Sequence, residues 1–206
     1  MPSHPSCSSR LLLLIGLLIT AALRSPASLQ DGDLVFQDSQ SSQCEAVKLA
    51  TKSPFSHVGL VFFRNQTPYV LEAIQPVVAT PLDQWIRRGS GESFVVKRLK
   101  DADTILTPQA VEKLRKAAFR YFGKTYDWLF HWSDDQIYCS ELVWKAYERG
   151  LGIRLCQPRT LRDFDLSHPA VQKKLTERYG TAIPWTEPVV APSDLFGSEL
   201  LVTVEP

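Results

Sequence analysis

Two apolar runs separated by a turn do most to fix what this chain can become. His57 to Phe63 is mostly apolar, Asn65-Gln66-Thr67-Pro68 supplies turn residues, and Tyr69 to Ala73 is apolar again. Runs of that length bounded by turn residues predict two antiparallel strands, the first of them buried. A turn centred between Asn65 and Gln66 sets the register. It puts His57 and Glu72 on the same face of the sheet as diagonal neighbours, within reach of long side chains. A slip of one residue would undo that placement.

The rest of the chain reads as short strands and helices. Leu34-Val35-Phe36 follows a turn at Asp31-Gly32-Asp33, and Val77–Ala79, Phe94–Leu99 and Leu200–Val204 have strand character. Helical patterns cover Ser39–Thr51, Leu82–Arg88 after Pro81, Thr107–Phe122 before Gly123, Leu161–Leu166 and Ala170–Tyr179. No internal repeat, low-complexity tract or linker interrupts residues 31–206. The length of 206 residues, 44% of them hydrophobic, suits one domain with its own core.

Tyr138-Cys139-Ser140-Glu141-Leu142-Val143 opens a further helix that runs to Arg149 and stops at Gly150. Cys139, Leu142, Val143, Ala146 and Tyr147 recur at helical spacing, so Cys139 begins the stripe that faces the core. A cysteine there serves packing as a small apolar residue. It is also a thiol at the positive end of a helix, where the dipole lowers its pKa. Add an imidazole at His57 and a carboxylate at Glu72, and the parts of a cysteine hydrolase are present. The carboxylate would fix the imidazole tautomer, the imidazolium would stabilise the thiolate, and the backbone N–H of Cys139 would donate to an oxyanion.

Other chemistries have less support. A formal net charge of +1 offers nothing to nucleic acid. Cys, His and Glu are all zinc ligands, but no CxxC or HxxxH pair surrounds these residues, so neither a metal nor another cofactor is expected. His131 and His168 lack sequence partners and are expected to face solvent.

Arg10 precedes an apolar run from Leu11 to Leu23, and Ser25-Pro26-Ala27 supplies small residues after it. Residues 1–27 therefore read as a secretory signal peptide, with an uncleaved anchor as the alternative. Cleavage would leave Cys44, Cys139 and Cys156, an odd number. Cys139 is the candidate unpaired thiol, and Cys44 and Cys156 are expected as thiols rather than a disulfide.

The whole set resembles a known family. Asp31-Gly32-Asp33-Leu34-Val35-Phe36-Gln37, Ser56-His57-Val58-Gly59, Leu71-Glu72-Ala73, Pro81-Leu82-Asp83-Gln84-Trp85, Gly123-Lys124-Thr125-Tyr126-Asp127 and Tyr138-Cys139-Ser140-Glu141 are similar, in this order, to the permuted papain-like amidases of the YiiX/YaeF type. The resemblance spans nearly all of residues 31–206. It implies an α+β, circularly permuted papain-like fold over residues 28–206, with helices packed on an antiparallel sheet or barrel. It further implies Cys139 as nucleophile, His57 as general base and acid, Glu72 as the residue that orients His57, and a tyrosine near the nucleophile, at Tyr126 or else Tyr138. The expected activity is cleavage of an amide in a peptide or cell-wall fragment by an exported, periplasmic hydrolase. A lipid acyltransferase or thioesterase of the same permuted fold, acting on a lipid ester, and a non-catalytic binding protein are the rivals. The oligomeric state is open, a homodimer included.

Overall fold

The structure, a computed structural model, describes residues 29–40 and 42–205, so the expected signal peptide over residues 1–27 lies outside the described residues. In chain order the elements are β1 (Leu34–Ser39), α1 (Ser42–Thr51), β2 (His57–Arg64), β3 (Thr67–Glu72), β4 (Val78–Pro81), α2 (Leu82–Arg87), β5 (Gly89–Leu99) and α3 (Ala102–Ile105). Then follow α4 (Pro108–Phe119), α5 (Cys139–Leu151), β6 (Arg159–Thr160), a 3-10 turn at Leu161–Asp163, α6 (Pro169–Tyr179), β7 (Pro188–Val189), α7 (Pro192–Phe196) and β8 (Leu201–Val204). Six strands form one antiparallel sheet in the order β4-β3-β2-β1-β5-β8, and β6 pairs with β7 apart from it. This is the α+β arrangement of helices on an antiparallel sheet.

The β2–β3 hairpin has the predicted register. Leu60 faces Leu71 and Val61 faces Val70. Asn65 and Gln66 both take positive φ, 49° and 64°, as a two-residue hairpin turn that matches the strand twist requires. Continuing the register, Glu72 falls across from Gly59, and His57 lies one diagonal step away. Gly59 has a local reason: a Cβ there would meet Val70 Cγ1 at 2.2 Å and Glu72 Cβ at 3.5 Å. The missing side chain leaves Glu72 room to lean toward His57.

Alternation along the strands divides the interior into two layers. Leu34, Phe36, Val58, Leu60, Phe62 and Leu71 face the helices, against Leu114 and Ala118 of α4 and Leu142, Val143 and Ala146 of α5. Val35, Val61, Val70 and Val96 face the other way and are covered by Trp85 of α2. Helices α4 and α5 touch backbone to backbone at Gly150, where a Cβ would sit 2.8 Å from Leu114 Cα. That contact is why Gly150 lies within α5 instead of ending it; Gly152, at φ 71°, is the left-handed cap. Away from the sheet, Ala46 of α1 packs on Val171 and Leu175 of α6.

Two expectations are corrected in the last third and in β5. Leu161–Leu166 is not a helix beyond Asp163. Asp163 Oδ2 accepts from Thr160 N at 2.7 Å and Asp165 Oδ1 from Ser167 Oγ at 2.6 Å, so the local side chains hold a turn instead. β5 starts at Gly89, ahead of Phe94, because an irregularity between Gln37 and Ser39 extends its pairing with β1. Between α4 and α5 the chain is held by Lys145 of α5. Its Nζ donates to Ser133 O at 2.5 Å and to Asp134 Oδ1 at 2.9 Å, and lies 2.7 Å from Glu141 Oε1. No helix among the described residues is long and apolar enough to cross a membrane.

Candidate active site

The diagonal step from His57 to Glu72 closes into a hydrogen bond. His57 Nε2 lies 2.7 Å from Glu72 Oε2. The other carboxylate oxygen, Oε1, accepts from Thr80 Oγ1 of β4 at 2.6 Å and from Arg88 Nη2, just after α2. Glu72 is thus fully buried with both oxygens engaged. Burial alone would push its carboxyl up, but the bond and charge of His57, with Thr80 and Arg88, hold it below the usual carboxylate range. Trp85 lies against the His57 ring, with centroids 6.3 Å apart and planes 30° apart. It closes one side of the pair to water.

Cys139 reaches the pair from the helical layer. His57 is the first residue of β2, at the end of the sheet, where α5 begins. The Cys139 thiol is coupled to His57, and the backbone of Val58 and the side chain of Ser140 act on it as well. With Nε2 given to Glu72, the remaining ring nitrogen Nδ1 is the one that faces sulfur. Burial works to raise the thiol and to lower the imidazole. In both cases the mutual bond and charge outweigh it, so Cys139 sits below an ordinary thiol and His57 rises from 6.5 to about 10. Both shifts favour a thiolate beside an imidazolium over the neutral pair.

The start of α5 is braced on both sides of the sulfur. Ser140 Oγ donates to Val190 O at 2.7 Å, and the Tyr138 hydroxyl accepts from Val190 N at 3.2 Å. Glu141 Oε2 accepts from Tyr138 N at 3.4 Å, closing a cap over the first turn. As the first helical residue, Cys139 has a backbone N–H without an intrahelical partner.

Cys139 and His57 open onto a cleft of about 630 Å³. Both expected tyrosines line it, but in different ways. Tyr138 is buried at 2% exposure and its hydroxyl is taken by Val190. Tyr126 is half-buried, its N–H donates to Gln75 Oε1 at 2.6 Å, and burial together with the charge on Cys139 holds its phenol well above the usual range. The cleft wall is mostly apolar, with Val47, Phe130, Leu166, Leu175, Tyr179 and Val189 among its residues. Four cations reach it, Arg87, Arg88, Lys174 and Arg178, and no carboxylate among the described residues does.

The sequence brought forward His57, Glu72 and Cys139, and the structure gathers all three. It did not bring forward the supports. Thr80 and Arg88 belong to no motif, and Trp85 stands out only within the Pro81–Trp85 segment of the resemblance. Gln37 is buried directly opposite His57 in the β1–β2 register and lines the cleft, which only the pairing makes visible. His131 and His168 are exposed, as expected, though His168 Nδ1 caps α6 by accepting from Ala170 N at 3.2 Å. No disulfide joins Cys44 to Cys156.

Comparison with known proteins places these features in a family. Residues 28–205 match the family described as permuted papain-like amidase enzyme, YaeF/YiiX, C92 family. The chain is 49% identical over 175 residues to the Escherichia coli (strain K12) protein named "Uncharacterized protein YiiX", with 85% of each covered. It also superposes on the crystal structure of "metalloprotein yiiX" from Escherichia coli O157:H7 with a TM-score of 0.81 and 49% identity, over 85% of this chain and 96% of that one.

Proposed function

This chain belongs to the permuted papain-like amidases of the YaeF/YiiX kind, and from that membership we propose that it is an exported cysteine hydrolase in which Cys139, His57 and Glu72 do the chemistry. The observation that carries the proposal is the 2.7 Å bond between His57 and Glu72 with the Cys139 thiol coupled to the same imidazole, at the floor of an open cleft.

In the proposed reaction the Cys139 thiolate attacks the amide carbonyl carbon. The backbone N–H of Cys139 donates to the oxyanion. His57 gives its Nδ1 proton to the leaving amine as the C–N bond breaks, which leaves a thioester on Cys139. Water then attacks the thioester, His57 takes its proton, and the acid departs with the thiolate restored. Glu72 keeps Nε2 protonated and holds the ring toward the sulfur. Tyr126, with its hydroxyl uncommitted to the backbone, is the tyrosine assigned to substrate contact.

For the substrate, a peptide or cell-wall fragment follows from the family. A lipid acyl amide or ester is a second reading, favoured by the mostly apolar cleft wall. The solved relative is described as a metalloprotein. Among the described residues no group of three or more His, Cys, Asp or Glu side chains is arranged to hold a metal ion. Glu72 and Cys139 already occupy both sides of the imidazole. The donor set does not fit a resident metal, and no step is assigned to one.

Replacing Cys139 by Ala should abolish turnover and the fast labelling by iodoacetamide at neutral pH that peptide mapping assigns to position 139, leaving only slow labelling at Cys44 and Cys156. Incubation of the wild type with muropeptides and with lipid esters, followed by intact mass, should find one class adding its acyl group to Cys139. Unchanged turnover in Cys139→Ala would refute the assignment. Export rests on the Leu11–Leu23 run. Sequencing the mature N-terminus should find cleavage near Ala27, and a mature chain that retains residues 1–27 would count against a cleaved signal.

A further inference from the structure

One cation in the cleft stands apart from the other three. Arg87 pairs with Asp83 at 2.8 Å, Arg88 with Glu72, and Lys174 with Glu177 at 2.7 Å. Arg178, half-buried on α6, makes no ion pair among the described residues. Its guanidinium is stacked over the Phe130 ring at 4.6 Å and bonded to the Tyr179 hydroxyl, which itself donates to Leu129 O at 2.6 Å. A guanidinium carries five N–H donors in a rigid fork. Tyr179 accounts for one direction, and the stacking fixes the plane. Burial pushes Arg178 below its ordinary value, while the Tyr179, Tyr126 and Asp127 fields only partly oppose that. Asp127 does not close the gap: its Oδ1 accepts from Leu129 N at 2.8 Å and its Oδ2 is buried without a hydrogen-bond partner among the described residues.

The position of this cation relates it to the chemistry. Arg178, Tyr126 and Cys139 line the same cleft, and the Tyr126 phenol responds to the charge of both the sulfur and the guanidinium. Phe130, beneath Arg178, is edge-on to Tyr138, the residue before Cys139, with centroids 5.0 Å apart. Lys174 lies one turn earlier on the same face of α6 and reaches the same cleft.

We propose that Arg178, assisted by Lys174, is the receptor for an anionic group on the substrate, so that this hydrolase selects acyl compounds bearing a carboxylate or phosphate close to the scissile bond. The fork geometry suits a planar or tetrahedral oxyanion held by two parallel bonds. The apolar wall takes the remainder of the molecule. This names the substrate class for the hydrolase reading above and rests on it.

The test measures binding in the full chain with Cys139→Ala, where no turnover can intervene. Calorimetric titration with decanoate, decyl phosphate and decanol compares a carboxylate, a phosphate and a neutral head on one apolar chain. One of the two anions should bind on the order of 10- to 100-fold more tightly than decanol. Which anion wins identifies the head group, and either supports the proposal. Adding Arg178→Gln should remove that preference and leave decanol binding unchanged, while Arg178→Lys, which keeps the charge and loses the fork, should retain a reduced preference. If Arg178→Gln does not fold, the weakening in Arg178→Lys is the readout. Equal affinity for all three probes, or a preference that survives Arg178→Gln, would overturn the proposal. Iodoacetamide labelling of wild-type Cys139 at neutral pH tests the hydrolase reading separately, so either idea can fail without the other.

Discussion

At the scale of single residues, the reactivity of Cys139 is set by a chain of dependencies. The thiol is low because of His57, His57 is raised first by Cys139 and then by Glu72, and Glu72 stays ionised while buried first through His57, with Thr80 and Arg88 sharing its other oxygen. The pH dependence follows in sign. Activity should rise with pH as Cys139 loses its proton, below the range of an ordinary thiol. It should hold, and then fall as the imidazolium loses its proton near pH 10. These limbs belong to the pair and not to either group alone. Glu72→Gln removes the charge that sustains His57, so the alkaline limb should move down and the acid limb up. The bell narrows, and kcat drops by about 10²- to 10⁴-fold. Rates of alkylation and turnover measured from pH 4 to 11 check both limbs, and a variant whose limbs do not move would show that Glu72 has no part in charging the imidazole.

At the scale of elements, the site is made where the end of β2 meets the start of α5, and the Val190 segment fastens that junction. Tyr138 and Ser140 flank the sulfur and both bond to Val190. Tyr138→Phe would leave the buried Val190 N–H without its acceptor and should cost about 1–3 kcal/mol of stability, with kcat little changed. Tyr126→Phe should do the reverse, sparing the melting temperature and reducing turnover. Paired denaturation and kinetic measurements separate the two, and a Tyr138→Phe protein of unchanged stability would discount the Val190 bond. What the sequence made legible also divides by element. The β2–β3 register could be read because Asn65-Gln66 allows one tight turn and one face must be buried. The Cys139 helix could be read because its apolar stripe starts at the cysteine. The role of Arg88 could not, since its partner Glu72 is reached only after β3 and β4 pair and α2 folds back. Nor could the wall given by α1 and α6, whose residues meet through tertiary packing alone.

At the scale of the whole molecule, a second buried carboxyl lies beneath the site. Burial pushes Glu141 from 4.5 to about 8, with Lys145 opposing and Asp127 adding to the rise. Between those values the folded chain keeps a proton that the unfolded chain has released, so stability falls as pH climbs through that window. The Cys139–His57 pair adds little slope near neutrality, because the proton the thiol gives up is matched by one the imidazole keeps. Thermal unfolding at constant ionic strength should therefore show a falling midpoint from about pH 7 to 8, above the range in which an unfolded imidazole takes up a proton of its own. Glu141→Gln should flatten that trend, and an equal slope in the variant would mean that Glu141 is not its source. The linear order of the parts carries one further meaning, for a polypeptide still on the ribosome. The hairpin bearing the imidazole and the acid emerges early and closes through local contacts. The sulfur arrives late, and the Val190 segment that anchors its helix later still. Before then the thiol has ordinary proton affinity and attacks slowly. A nascent chain is thus disarmed, and the proposed nucleophile ripens only once the Val190 segment has been made.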